Sequence, residues 1–261
     1  MKKIISFVHG YHDLKKNLVD IKRPALLEVI KKKVITHNFF FPRNPEDFFK
    51  YKEFISGSMP NKNLDNFDKL PRYGFTGISY FKNRIFCGSW NGIYEINAKN
   101  FKLKKIISNK LMSDIHGIDV NRDYLISVLT CKDTIVFTDF DGKIINHFTI
   151  NKNLKIVKEK NIEKIDWRFV SKQFRGSTGF FHFNYVFQKN KTELWLTSRN
   201  LNSFVVVNLK VMKAELRMMN LYSPVLVHDG FHYKNKIYLT SIDGKILIAN
   251  NNKNEVQKTA E

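Results

Sequence analysis

The feature that most constrains this chain is an internal repeat of strand-forming segments separated by tight-turn signals. Residues 76–86 resemble residues 228–238, and aligning them sets an Asn-Gly dipeptide at 91–92 opposite an Asp-Gly dipeptide at 243–244. Both dipeptides favour two-residue hairpin turns, because the central residues of such turns need positive φ. Two hairpin signals at one register, each between β-branched and aromatic runs, predict antiparallel sheets repeated along the chain.

Five such units can be traced through the chain, and each opens at one repeat position. The openings lie near His9, Thr76, His116, His182 and His228. The shorter intervals between them, of 40 and 46 residues, match the length of a four-stranded propeller blade. The sequence therefore predicts an all-β fold, a β-propeller of about five four-stranded blades, with six as the alternative number. The propeller is expected to be a single domain over residues 1–261.

Insertions account for the two longer intervals. Residues 38–72 hold most of the prolines and a polar Asn, Asp and Lys stretch, and residues 153–178 begin as a charged run, so both are predicted as loops.

The last unit is short. We expect its outer strand from residues 255–258 or from residues 2–8, since propellers avoid an open sheet edge.

The net charge of +20 bears on the kind of partner. Lysines are spread along the chain beside turns, and the tightest run covers only residues 31–33. We therefore expect a small anionic or aromatic molecule as partner, with no nucleic acid, because no basic stripe alternates with aromatic residues. No stretch is long enough for a membrane span and the N-terminal apolar run is too short for a signal peptide, which predicts a cytoplasmic protein that binds no membrane. Cys87 and Cys131 are too few for a disulfide framework.

The shared opening position predicts a ring of side chains around the propeller axis. Equivalent positions in successive blades are related by rotation, so His9, Thr76, His116, His182 and His228 are expected around one channel mouth. Such histidines can link blades structurally, or one can act as a nucleophile or general base while others bind an anion. Neutral imidazoles also bind first-row transition metals.

One segment carries a family resemblance. His182-Phe183-Asn184, followed after a gap by an apolar strand that ends in Ser198-Arg199, resembles the arylsulfotransferases over residues 179–209. That resemblance implies a propeller whose channel holds histidines and an arginine around a sulfuryl group, with one histidine transiently sulfurylated.

The candidate site residues follow from the ring and the resemblance together. The candidate catalytic residues, with His228 as the nucleophile, are His228, His182, Arg199 and His116. The candidate substrate-binding residues are His9, Asn184, Asp229 and Thr76. If a metal is present, its ligands are expected to be His9, His116, His182 and His228.

The leading functional hypothesis is a small-molecule enzyme at the central channel, an arylsulfotransferase-like transferase that moves a sulfuryl or other anionic group without a cofactor. The first alternative is a metal-dependent enzyme with a first-row transition metal on the four histidines. The second is a non-catalytic propeller that binds or scaffolds a partner. In that case the histidines would pack between blades with no open cavity.

Overall fold

The chain is described by a computed structural model that covers most of its length. The described residues are 4–8, 25–30, 33–62, 74–158, 162–169, 179–218, 227–233, 236–241, 246–250 and 256–260. The predicted blade opening at His9 lies outside these ranges. Within them the chain consists mainly of antiparallel strands in five sheets.

The sheets follow one another along the chain, and all but the first have four or five strands. The first sheet contains β1 (Ile4–Val8), β2 (Ala25–Ile30) and β3 (Lys33–Asn38). The second contains β4 (Ile55–Gly57), β5 (Gly77–Phe81), β6 (Arg84–Ser89), β7 (Gly92–Asn97) and β8 (Leu103–Ser108). The third contains β9 (Ile115–Val120), β10 (Leu125–Leu129), β11 (Thr134–Thr138), β12 (Ile144–Ile150) and β13 (Ile156–Val157). The fourth contains β14 (Phe183–Asn190), β15 (Glu193–Ser198), β16 (Ser203–Asn208) and β17 (Lys213–Met218). The fifth contains β18 (Val227–Tyr233), β19 (Lys236–Ser241), β20 (Ile246–Asn250) and β21 (Val256–Ala260).

Apolar clusters lie between consecutive sheets and give the sheets their radial arrangement. Separate buried clusters join the first sheet to the second, the second to the third, the third to the fourth and the fourth to the fifth. The inner strands β5, β9, β14 and β18 contact one another in turn. The fold is therefore an all-β propeller, as the repeat predicted, and the inner strands surround its axis.

The two ends of the chain resolve the open choice for the last blade. Strand β21 pairs with β20, which confirms that the C-terminal segment supplies the outer strand. The other option was wrong, because β1 pairs with β2 and thus belongs to the first sheet.

Turn chemistry is close to the prediction in the second and third sheets. Ser89 pairs with Gly92, so the tight turn is Trp90-Asn91, one residue earlier than predicted. Gly142 adopts a positive φ of 85° in the turn that joins β11 to β12, where Asp141-Gly142 is a second Asp-Gly dipeptide of the kind that favours tight turns.

The first insertion is more ordered than a loop over its described part, 38–62. It contains the helix α1 (Pro45–Lys50) and the strand β4, which pairs in parallel with β8. Asn44 caps the helix by accepting a hydrogen bond from the Asp47 backbone N–H at 2.8 Å. Proline suits the first helical position, where its missing N–H is not needed, so an Asn-Pro pair here was a helix signal.

A buried arginine ties the second insertion to the first. The guanidinium of Arg168 is fully buried and pairs with Asp166, at 2.8 Å from Nε and 2.5 Å from Nη2. Its Nη1 donates to the carbonyl oxygen of Ser58 at 2.6 Å, and its plane lies over the rings of Phe48 and Phe169. The described parts of both insertions are thereby fixed to each other beside Ser108, at the end of β8. The helices within the described ranges are too short to cross a bilayer.

Candidate functional site

The inner strands of three sheets share a β-bulge at the same place. In β9 the extra residue is His116, and in β14 it is Asn184. In β18 the irregular stretch covers His228 and Asp229. A bulge re-aims the side chain of its extra residue, so these positions present their side chains differently from the rest of each strand.

Strand pairing therefore corrects the repeat alignment at one blade. The sequence placed His182 at the position of His116, but the register places Asn184 there, two residues later. His182 instead precedes β14 in a left-handed conformation, with φ at 51°. The error arose because histidines were matched by identity, whereas the bulge sets the register through backbone pairing.

At this position side chains link the second sheet to the third and the third to the fourth. The hydroxyl of Thr76, on the second sheet, donates to the carbonyl oxygen of Ile115 on the third. Nδ1 of His116, on the third sheet, lies 2.9 Å from Oδ1 of Asn184 on the fourth. Three consecutive sheets are thus joined by polar contacts near the axis.

Both ring nitrogens of His116 are engaged. Its Nε2 lies 3.1 Å from Oδ1 of Asp114, and the ring is 1% exposed. Since a carboxylate accepts, Nε2 carries a proton. If the ring is neutral, the Asn184 amide must present its nitrogen to Nδ1. If both ring nitrogens are protonated, it presents its oxygen. Either way, His116 has no free nitrogen with which to attack a substrate.

His182 and Arg199 form a second cluster beside the first. The two imidazoles of His116 and His182 meet edge to face with centroids 5.5 Å apart. Nη1 of Arg199 lies 3.5 Å from Nε2 of His182. Because a guanidinium only donates, this long contact requires a lone pair on Nε2 of His182. Arg199 remains partly exposed. The structure brings together His182 and Arg199, two of the candidate catalytic residues.

Two aspartates near the site were missed from the sequence. Asp114 lies two residues before His116, and an Asp-x-His spacing was an available signal for a paired imidazole. Asp133 lies in the third sheet, and its Oδ2 accepts the backbone N–H of Phe181 at 2.9 Å. It thereby holds the segment that carries His182, and no local sequence signal marks it.

Burial raises the pKa of Asp133 to about 6, although backbone N–H groups of residues 180–183 partly offset that rise. The unfolded chain then loses this proton at lower pH than the folded protein does, so the contribution of Asp133 to stability falls as pH rises from 4 to 6.

We expect Asp133→Asn to remove this pH dependence. An asparagine tolerates the left-handed backbone at this position, where φ is 47°. The free energy of unfolding of the variant minus that of the wild type should be about 2 kcal/mol larger at pH 7 than at pH 4. Urea titrations at both pH values measure this gain, and the pH 4 value is the control for effects of the substitution other than titration. A constant difference between the two proteins would contradict the raised pKa.

A small cavity lies among the inner strands. It measures about 40 Å³ and is lined by residues 77–78, 116–118, 184–185 and 230. A water molecule needs about 10–15 Å³ of such space, whereas small-molecule sites measure about 300–1,000 Å³. The Nδ2 atom of Asn184 is buried and has no hydrogen-bond partner among the described residues. The cavity thus has room for ordered water next to an amide nitrogen that has no partner among the described residues.

The remaining predicted site residues are only partly placed. His228 and Asp229 belong to β18, but the structure describes only their backbone. His9 lies outside the described residues. Among the described residues, no group of three or more His, Cys, Asp or Glu side chains is arranged to hold a metal ion. The four-histidine metal set remains a prediction.

Comparisons with known proteins find similarity at the level of structure only. A scan against protein-family models finds no match, and a search of curated proteins finds none. Among solved structures, the chain is similar to a protein of unknown function from Bacteroides caccae, with 8% identity and a TM-score of 0.54 over 98% of this chain and 72% of that one.

Two other similar structures are more distant. The WD40 propeller domain of Doa1 has 10% identity and a TM-score of 0.47 over 74% of this chain, and the Kuenenia stuttgartiensis hydrazine synthase has 9% and 0.47 over 77%. This chain spans only 54% and 52% of those two chains. At these identities and TM-scores, neither likeness bears on activity or partners.

Proposed function

We propose that this chain is a non-catalytic propeller that binds a small anionic molecule away from its axis, and that its inner-strand histidine is a structural link between blades. The observation that carries the proposal is the state of His116, whose two ring nitrogens are both engaged beside a cavity of about 40 Å³. A catalytic imidazole needs a free nitrogen within reach of substrate, and this one has neither the nitrogen nor the space.

The charge of the chain supports an anionic ligand. The net charge is +20, and a positive surface attracts anions and raises their association rate. The links between blades, from Thr76 to Ile115 and from His116 to Asn184, give Thr76, His116 and Asn184 a structural role that needs no chemistry.

His116→Phe should therefore lower stability. The substitution removes the imidazole contacts of Asp114 and Asn184, both of which are buried, and this costs about 2 kcal/mol. Denaturant unfolding measures the loss, and His147→Phe on the partly exposed β12 strand serves as the control, with an expected loss below about 1 kcal/mol.

Wild-type protein should release no p-nitrophenol from p-nitrophenyl sulfate, with phenol as acceptor, above the rate without protein.

A second candidate function has one observation in its favour. His182 is a non-glycine residue held at positive φ beside the partly exposed guanidinium of Arg199, and such backbone outliers cluster at functional sites. An arginine next to an imidazole suits transfer of a sulfuryl or other anionic group, the activity that the arylsulfotransferase resemblance implies. Release of p-nitrophenol that is abolished in Arg199→Gln, with unfolding unchanged, would favour this candidate and overturn the binding proposal.

A further inference from the structure

A groove lies on the outer side of the propeller, between the second and third sheets. It is formed by residues 55–58, 109–110 and 141–144, and we call it the rim groove. One wall is the edge strand β4, and the other is the turn that joins β11 to β12. Its volume of about 590 Å³ lies within the range of about 300–1,000 Å³ that is typical of small-molecule sites.

The walls of the rim groove are fixed to each other by hydrogen bonds. The hydroxyl of Ser56 donates to the carbonyl oxygen of Asp141 at 3.1 Å, and Nδ2 of Asn109 donates to that of Gly142 at 3.3 Å. The buried Arg168 holds the carbonyl of Ser58 in place. A groove built on such contacts exists before a ligand arrives, which lowers the entropy lost on binding.

Glycine at two positions lets the walls approach. Gly57 has φ at 111° and Gly142 has φ at 85°. A Cβ atom on Gly142 would lie 2.9 Å from the Cα atom of Gly57 and 2.9 Å from the carbonyl oxygen of Ser56. Side chains at these positions would force the walls apart.

The rim groove carries uncompensated positive charge. Asp141 is already neutralised by Lys105, whose Nζ lies 2.8 Å from Oδ1 and which lowers the pKa of that carboxyl. Lys110 and Lys143 also line the groove, and neither makes an ion pair with a described residue. Ile55 and Ile144 add partly buried apolar surface to the same walls.

We propose that the rim groove binds a small organic anion with an apolar, ring-sized body and a sulfonate, sulfate, phosphate or carboxylate head. Lys110 and Lys143 bind the head, and Ile55 and Ile144 pack against the body. This inference rests on the proposed function, since it gives the anionic ligand a place and a chemical class.

The test uses the fluorescent aryl sulfonate anilinonaphthalene sulfonate with the whole chain. Replacing Lys110 and Lys143 together by glutamine should weaken its binding by about tenfold, because two charge-assisted hydrogen bonds to the head are removed. Lys210→Gln with Lys213→Gln removes the same net charge from the exposed edge of the fourth sheet, and binding should change less than about twofold. Sodium sulfate should compete with the probe for wild-type protein, at constant ionic strength.

The outcomes separate the groove from its alternatives. Equal weakening by the two lysine pairs would show attraction by overall charge and would overturn the groove, as would no weakening by either pair. Thermal unfolding confirms that each variant is folded. If the groove proposal fails, the predicted stability loss in His116→Phe is unaffected. Sulfuryl transfer that depends on Arg199 would overturn the proposed function, even if the probe binds the rim groove.

Discussion

Replacing Arg168 by methionine should lower the free energy of unfolding by about 3 kcal/mol, and the thermal midpoint by roughly 10 °C. The guanidinium is fully buried, so its removal leaves the Asp166 carboxylate without its charged partner and the Ser58 carbonyl without this donor. It also removes the packing against the rings of Phe48 and Phe169.

A matched control separates burial from charge. Arg217 pairs with Glu215 at 2.8 Å, but both side chains are partly exposed, so Arg217→Met should cost less than about 1 kcal/mol. Adding Asp166→Asn to Arg168→Met should restore part of the stability, since no buried charge is then left unpaired. Calorimetry and urea unfolding give these values. A loss in Arg168→Met no larger than that in Arg217→Met would refute the role of the buried pair.

Gly117→Ala should lower the free energy of unfolding by about 3 kcal/mol, because β9 and β14 approach closely at this residue. An added Cβ atom would lie 2.9 Å from the carbonyl oxygen of Asn184, 2.9 Å from the Cα atom of Tyr185 and 3.0 Å from the amide nitrogen of Val186. All three are backbone atoms of the next sheet, so two inner strands would have to separate.

Gly88→Ala is the matched control for this substitution. Its Cβ atom would meet the Cγ2 atoms of Ile115 and Ile118, at 3.0 Å and 3.2 Å. These are side-chain methyl groups that can shift, so the expected loss is about 1 kcal/mol. Urea unfolding of both variants measures the difference. Equal losses would mean that the inner strands can separate freely, and the strands around the axis would then not be tightly packed.

Much of the fold was predictable because its signals are local. The strands of the third sheet were bounded by turn residues such as Asp141-Gly142, and the structure has four strands between 115 and 150 as expected. The helix at Pro45–Lys50 was missed because prolines were taken as loop signals, although Asn44 before Pro45 is a helix-capping pair.

The candidate site was predictable only in part. The structure places Arg199 beside His182, two residues that the sequence had put in one candidate site. The equivalence of Asn184 with His116 could not be predicted, because a β-bulge is set by which backbone groups pair across strands, and residue types do not show it. Asp133 was missed for a similar reason, since it joins the third sheet to the fourth by accepting the backbone N–H of Phe181.

The pairing of β21 with β20, and of β1 with β2, also governs how this ring can assemble. Among the described strands, each sheet is built from one continuous stretch of sequence, so a blade can form as soon as its own residues have left the ribosome. Assembly can then proceed blade by blade from the N-terminus, without waiting for the last residues to be made.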